Sequence, residues 1–278
     1  MIEENGTGRR PIVTLMTDFQ EGSPYVAQMK GVLYSRVPEV QVVDVTHSVP
    51  PQNVLYGACV LAETASFFPA GTIHVAVVDP EVGSRRKLVC AQANAQFFLC
   101  PENGLLTEVI RKFSVQRVFE IRNPECFLPE VSATFHGRDV LAPTAAFLAQ
   151  GRGVELVGPA LASEELRRLP IPQASANYFG ISGTFLYADS FGNLVTNVTR
   201  DVFEAYVSRI TGGQPGSIMR IGNSEFATDL RFVRTYSDCQ PGTRVILWGS
   251  QGRLELAVVN GSAQQELPWK SGDAFRLH

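Results

Sequence analysis

Apolar residues in the first half of the chain follow two alternating spacings. Runs rich in β-branched residues occur at 11–19, 40–46 and 72–79, and each predicts a buried strand. The intervening segments, 25–37 and 54–67, repeat apolar residues every three or four positions, and Asn53 is placed to cap the second. Strands that alternate with helices of this length indicate βαβ units and a mostly parallel sheet.

The same pattern continues to about residue 150 and then changes. It predicts strands at 88–93, 96–99 and 117–121 and helices at 105–112 and 139–149. After a stretch rich in proline and charge, the chain shows short apolar runs bounded by Gly, Asn and Ser, which are typical of a small antiparallel barrel or sandwich. We therefore expect an α/β N-terminal domain followed by a small all-β C-terminal domain.

The composition shifts set the expected boundaries. Residues 1–10 are polar and are predicted to be a flexible tail, residues 11–160 the α/β domain, residues 161–178 a linker, and residues 179–278 the β-barrel domain. The tail has no apolar stretch of the signal-peptide type.

The composition and net charge argue against several classes of binding partner. With 45% hydrophobic and 18% charged residues, the 278-residue chain is typical of a globular protein. Its net charge of −3 gives no electrostatic footprint for nucleic acid or an anionic membrane, and its apolar runs are too short to span a bilayer. The five cysteines are odd in number and include no Cys-x-x-Cys pair, so we expect reduced thiols, a cytoplasmic setting and no cysteine-bound metal.

Candidate chemistry concentrates at strand ends. Asp18 and Asp79 follow the first and third predicted strands, where ligands bind in parallel α/β sheets, although a lone aspartate there can equally cap a turn. His136, in ATFHGRD, is open to three readings: a solvated loop residue, a buried hydrogen-bonding group or a catalytic group. A metal site through Asp18, Asp79 and His136 has little support, because their spacing is nonlocal. Phosphate-loop, dinucleotide and serine-hydrolase motifs do not occur.

Eight stretches in order carry a resemblance to a known family. They are TDF (17–19), YVAQMKG (25–31), DVTHSVPPQNV (44–54), VVDPEVGSRR (77–86), PENGLL (101–106), TFHGRDVLAP (134–143), DSFGNLVTN (189–197) and LELAVVNGSA (254–263). Together they resemble the S-adenosyl-L-methionine hydroxide adenosyltransferases, which are relatives of the fluorinase and chlorinase enzymes.

The resemblance implies an α/β domain followed by a β-barrel domain, which agrees with the division read from the residues. It also implies a homotrimer whose sites lie at subunit interfaces. The implied reaction is attack of water or hydroxide on C5′ of S-adenosylmethionine, giving adenosine and methionine. S-adenosylmethionine is then the substrate, and no cofactor, metal or nucleic acid is implied.

Site residues follow from the matched motifs. The resemblance implies that Asp79, Arg86 and His136 activate the water. It implies ribose binding by Asp18, adenine binding by Asn193 and the backbone near Val259 and Asn260, apolar walls from Phe135 and Phe191, and a methionine end near Asp189 and Ser250. Substrate contacts are also implied for Phe19, Ser23, Tyr25 and Gln52.

Departures from the halide-using relatives favour water as the nucleophile. Those enzymes carry tyrosine at the positions of Asp79 and His136 and an insertion within 90–101, and a carboxylate beside the nucleophile would repel a halide. A halide-dependent, chlorinase-like adenosyltransferase and a non-catalytic module that binds S-adenosylmethionine or adenosine remain the alternatives.

Other departures concern recognition. Gln20 and Ser23 replace a usual Gly and Asp, and Gln251 stands where fluorinases have Arg, so recognition of the amino-acid half stays open. Arg85 is an alternative to Arg86.

Overall fold

A computed structural model describes residues 10–208, 214 and 216–278. The chain forms two compact units, the first ending at Leu169 and the second beginning at Pro170. The expected tail, residues 1–10, lies outside the described residues except for Arg10.

The first unit is an α/β fold with seven strands. The strands are β1 (Ile12–Thr17), β2 (Gln41–Thr46), β3 (Ile73–Val77), β4 (Leu88–Ala93), β5 (Gln96–Pro101), β6 (Val115–Glu120) and β7 (Ala160–Leu161). The helices are α1 (Tyr25–Arg36), α2 (Val54–Ala65), α3 (Thr107–Lys112) and α4 (Ala142–Ala149). As expected, Asn53 caps α2 by accepting a hydrogen bond from the backbone N–H of Tyr56 at 2.9 Å.

The strands form one sheet in the order β2-β1-β3-β5-β4-β6-β7. The first four strands in this order are parallel to one another, and the pairings from β5 to β4 onwards are antiparallel. The predicted mostly parallel core is thus confirmed, with an antiparallel extension on one side. The extension begins with a two-residue turn at Asn94 and Ala95, both at positive φ, between β4 and β5.

Apolar side chains cover both faces of this sheet. Val13 and Leu15 of β1 belong to the buried cluster that includes α1 and α4, whereas Met16 belongs to the cluster that includes α2 and α3. This alternation follows from the two-residue period of a strand. The helices on both faces leave the carboxyl-end edge of the parallel strands for polar residues.

The second unit is a closed barrel with a short additional strand. Its strands are β8 (Ser175–Asn177), β9 (Gly180–Ala188), β10 (Leu194–Thr199), β11 (Ile218–Gly222), β12 (Ala227–Phe232), β13 (Arg244–Trp248), β14 (Arg253–Val258) and β15 (Ala274–Leu277). The order β10-β14-β13-β12-β11-β15-β9 closes through the pairing of β9 with β10, and β8 pairs with β9. Phe185, Trp269 and Phe275 pack in its interior. The expected barrel is confirmed.

Two features of this unit differ from the antiparallel barrel that the sequence predicted. The strands β12 and β13 are parallel, because the eleven-residue connection between them, which holds a 3₁₀ turn at Tyr236–Asp238, is long enough to cross over. Two helices that the sequence pattern did not indicate, α5 (Arg200–Val207) and α6 (Ala263–Glu266), follow β10 and β14. Of the predicted linker, Leu161 ends β7 and 175–177 form β8.

The five cysteines are free thiols, and four of them are buried. In the described part of the chain, no helix has the length and apolar character needed to cross a membrane.

Candidate active site

Three parallel strands end in polar residues at one edge of the first sheet. Thr17 of β1 is in register with Val77 of β3, so Asp18 and Asp79 follow from neighbouring strand ends. His47 directly follows β2, the other neighbour of β1. The expectation that Asp18 and Asp79 share an edge of the sheet therefore agrees with the strand register.

Asp79 is paired with Arg86 within a single loop. The Arg86 Nε donates to both carboxylate oxygens of Asp79, at 2.9 and 2.8 Å, and one terminal nitrogen donates to Oδ2 at 2.5 Å. The two side chains are only 3% and 7% exposed. Arg85 is exposed and makes neither of these contacts, so the geometry selects Arg86 of the two arginines as the partner of Asp79.

His136 is the third member of this group. A terminal nitrogen of Arg86 lies 2.8 Å from its Nδ1. Because a guanidinium can only donate, Nδ1 accepts this hydrogen bond and the neutral ring carries its proton on Nε2. Among the described residues none is hydrogen bonded to Nε2. Burial and the charge of Arg86 lower the pKa of His136, while Asp79 and Asp139 act in the opposite direction.

A π-helical turn over Gly137–Leu141 holds His136 at the start of α4. The Ala142 N–H donates to the Gly137 carbonyl, five residues back. The buried carboxylate of Asp139 accepts from the Ser132 backbone N–H at 2.9 Å and from Arg138 Nε at 2.6 Å. Arg138 and Asp139 therefore anchor the loop before His136, and π turns of this kind occur frequently at functional sites.

The two loops that carry the trio approach each other at Gly83. A Cβ added there would lie 2.8 Å from the backbone oxygen of Ala133, and Gly83 has φ of 80°. Only glycine meets both conditions without strain. Asn103, in the PENGLL motif, holds the end of β3 by donating from its side chain to the carbonyl of Val78 at 2.8 Å.

Asp18 lies in a loop fixed by backbone and side-chain bonds. Its Oδ2 accepts from the backbone N–H of Gln52 at 2.8 Å. Gln20 adopts φ of 63°, a region that favours glycine, and its side chain donates to the carbonyl of Val49 at 2.7 Å. The usual glycine is thus replaced by a residue whose side chain adds hydrogen bonds to a strained backbone.

His47 supports the same loop from β2. Its Nδ1 lies 2.9 Å from Thr17 Oγ1, which accepts from the Phe19 N–H at 3.3 Å, and its carbonyl accepts from Gln20 N. Its Nε2 lies 3.0 Å from Asp44 Oδ1. The sequence did not indicate this role, because the Thr17 side chain that His47 contacts is 30 residues away along the chain.

Three aromatic rings form an apolar wall beside these polar groups. Phe19, Tyr25 and Phe135 make edge-to-face contacts with one another, with centroids 5.1 to 5.6 Å apart. Ser23 lies in the same loop region, and its buried Oγ has no hydrogen-bond partner in the described part of the chain. The expected site residues of the first unit thus form three contacting groups, and no hydrogen bond joins the Ser23 side chain to any of them: Asp79, Arg86 and His136; Asp18 and Gln52; Phe19, Tyr25 and Phe135.

The second unit holds a separate cavity of about 670 Å³. Of the expected site residues, the cavity is lined by Asp189, Phe191, Asn193, Ser250 and Asn260. Val259 is not part of the lining. Its backbone N–H and carbonyl bond to Thr243 and Gly242, and its side chain is buried against other apolar residues.

Tyr236, Trp248 and Glu255 also line this cavity, although sequence reasoning did not select them. The Tyr236 hydroxyl donates to Glu255 Oε1. Burial, the hydrogen bond and the charge of Glu255 raise the pKa of Tyr236. The available signal was a glutamate between two leucines in RLELAV, an acidic residue inside a strand of buried positions.

Comparison with known proteins assigns the chain to a family. The model of the SAM hydroxide adenosyltransferase N-terminal domain matches residues 13–158, and that of the C-terminal domain matches residues 183–276. The chain belongs to the SAM hydroxide adenosyltransferase family.

Several members of the family and its relatives cover almost the full length. The chain is 36% identical to an (R)-S-adenosyl-L-methionine hydrolase from Salinispora arenicola, over 96% of this chain and 97% of the relative. It is also 36% identical to an enzyme of the same name from Thermus thermophilus, over 96% and 99%. A fluorinase from Actinoplanes is 32% identical, over 89% and 90%. A solved structure of an uncharacterized conserved protein from Thermotoga maritima superposes with a TM-score of 0.89 at 32% identity, covering 96% of this chain and all of that one.

Among the residues that the structure describes, no three His, Cys, Asp or Glu side chains converge as ligands for a metal ion.

Proposed function

We propose that the protein hydrolyses S-adenosyl-L-methionine to adenosine and L-methionine, and that it acts on the (R)-sulfonium diastereomer named for its relatives. The observation that carries the proposal is the hydrogen-bonded Asp79–Arg86–His136 trio, which begins at the carboxyl edge of the parallel strands. In the halide-using relatives, tyrosines stand at two of these positions.

The reaction forms the C5′–O bond and breaks the C5′–S bond. Its substrate is a sulfonium cation and a water molecule, and its products are neutral adenosine, methionine and one proton. Charge is cancelled as hydroxide attacks, so a site that excludes bulk water favours the transition state. The aromatic wall of Phe19, Tyr25 and Phe135 supplies such surroundings.

The trio divides the work of activating water. Arg86 occupies the basic Nδ1 of His136, so we assign the proton from water to Asp79 Oδ1, which accepts one hydrogen bond from Arg86 while Oδ2 accepts two. The Nε2–H of His136 donates to the water oxygen and orients it, and the charge of Arg86 stabilises the hydroxide. A fixed water in line with the C5′–S bond contributes to the rate through orientation.

In this proposal the substrate binds to site residues of both units. Asp18 binds the ribose hydroxyls, and Asn193 with the backbone near Asn260 binds adenine. We propose a homotrimer in which the first unit of one subunit is completed by the second unit of a neighbour. Light scattering on the eluted protein should then give three times the 30.4 kDa chain mass.

Release of adenosine tests the proposal. Purified protein incubated with each sulfonium diastereomer, without halide or metal, should release adenosine and methionine from the (R) form, measured by chromatography. Asp79→Ala and His136→Ala should abolish turnover while binding persists. Tight binding without adenosine would instead support a binding module, and a halogenated nucleoside on addition of chloride or fluoride would support halide chemistry.

A further inference from the structure

The cavity of the second unit contains an acidic side chain with one oxygen left free. Glu255 is 7% exposed, and its Oε1 accepts the hydrogen bond from Tyr236. No hydrogen bond joins its Oε2 to any residue that the structure describes. This oxygen lies against Gly249, where a Cβ would be 2.3 Å away, next to Ser250 in the cavity lining.

The other carboxylate in the cavity is already used by the protein. Asp189 Oδ1 accepts from the backbone N–H groups of Phe191 and Asn193, at 2.9 and 2.8 Å. Its Oδ2 accepts from the side-chain amide of Asn193 at 2.9 Å. Asp189 therefore shapes the turn between β9 and β10 and orients Asn193, and both of its oxygens accept hydrogen bonds, whereas Glu255 has one oxygen that accepts none from the described residues.

Among the described residues that line this cavity there is no lysine, arginine or histidine. Burial and the neighbouring charge of Asp189 raise the pKa of Glu255, while its bond from Tyr236 lowers it. A buried carboxylate without a cation is unfavourable, and a hydrogen-bonding cation would relieve that cost. The cavity is thus suited to a ligand group that is positively charged and donates hydrogen bonds.

We propose that Glu255 determines specificity by binding the α-ammonium group of the amino-acid half of the substrate. The inference rests on the proposed function, since it assigns one group of that substrate to one side chain. The ammonium fits the open oxygen better than the sulfonium does, because a sulfonium has no proton to donate. Tyr236 is a positioning residue that holds the carboxylate from the other side.

A substrate that lacks only the amino group tests this assignment. Wild-type protein should show a KM for S-adenosylmethionine about 10- to 100-fold lower than for its des-amino analogue, the range of a charged hydrogen bond. Glu255→Gln should remove most of that preference by raising the KM for S-adenosylmethionine alone. Tyr236→Phe, which keeps the carboxylate, should reduce the preference partially.

Glu225→Gln is the matched control, because Glu225 is an exposed acidic residue in the same unit. Calorimetry with adenosine, which lacks the amino-acid half, should give the same affinity for wild type and Glu255→Gln, and this would exclude misfolding. An equal KM for both substrates in the wild type, or an unchanged preference in Glu255→Gln, would overturn the inference. If the wild-type protein released no adenosine, the proposed function would fail, while calorimetric affinities for the two sulfonium compounds would still decide the role of Glu255.

Discussion

Replacing Arg86 by methionine tests how much the Arg86 guanidinium stabilises the folded protein. The substitution keeps much of the side-chain volume but removes three hydrogen bonds to Asp79 and one to His136. It leaves the carboxylate, 7% exposed, without its cation. Removing one partner of a buried ion pair costs about 3–5 kcal/mol, so we expect Arg86→Met to lower the free energy of unfolding by about that amount.

The same substitution should change the titration of His136. Burial and Arg86 hold the pKa of this ring below its usual value. Without Arg86 only burial lowers the pKa, and Asp79 raises it, so the ring signals in a proton NMR titration should move at a higher pH than in the wild type. Adenosine release should be lost at the same time, because Nδ1 no longer has its donor.

Urea denaturation followed by circular dichroism measures the stability change. Asp79→Asn/Arg86→Met removes both charges and should be more stable than Arg86→Met alone. Arg85→Met, at an exposed neighbouring position, should stay within about 0.5 kcal/mol of the wild type. The reasoning would be refuted if Arg86→Met and Arg85→Met unfolded at the same urea concentration, or if the double variant were the least stable of the three.

Two further predictions concern the backbone and the core. Gly83→Ala should lose stability and turnover, because its Cβ would lie 2.8 Å from the Ala133 carbonyl oxygen. The control Gly71→Ala, with φ of 83° and open space around it, should lower the free energy of unfolding by only roughly 1–2 kcal/mol, the cost of its backbone conformation. Equal melting temperatures for the two variants would contradict this. Burial lowers the pKa of His74 to about 4, so the unfolded chain takes up its proton first as the pH falls below 6.5. Urea titrations at pH 7.5 and pH 5 should show a loss of about 2 kcal/mol that is absent in His74→Asn, and a loss of equal size in that variant would refute the assignment.

Local patterns were sufficient to place the main helices and strands of the first unit. The spacing of apolar residues placed α1, α2 and the parallel strands, and strand-end aspartates pointed to the edge where Asp79 lies. The choice between Arg85 and Arg86 needed the structure, because adjacent residues point in different directions and no local pattern says which one reaches His136. That contact joins residues 50 positions apart and depends on the approach of two loops at Gly83.

Patterns were less informative for the second unit. A two-residue alternation identifies strands but not their order, so the parallel pairing of β12 with β13 could not be read from it. Glu255 and Tyr236 come together only because β14 and the crossover loop meet in the barrel wall. The sequence likewise could not show that Val259 turns away from the cavity, since this depends on which backbone groups pair with 242 and 243.

The π-helical turn at Gly137–Leu141 has a consequence for insertions and deletions in this chain. Such a turn accommodates one residue more than a regular α-helix would, and each residue of a regular helix advances the direction of a side chain by about 100°. Deleting one residue within 137–141 would leave an unbroken helix that still packs through α4. The imidazole of His136 would then swing by roughly a quarter turn about the helix axis, away from Arg86. The direction of the His136 side chain therefore depends on the number of residues in this turn. A deletion there would abolish activity without replacing any residue of the trio.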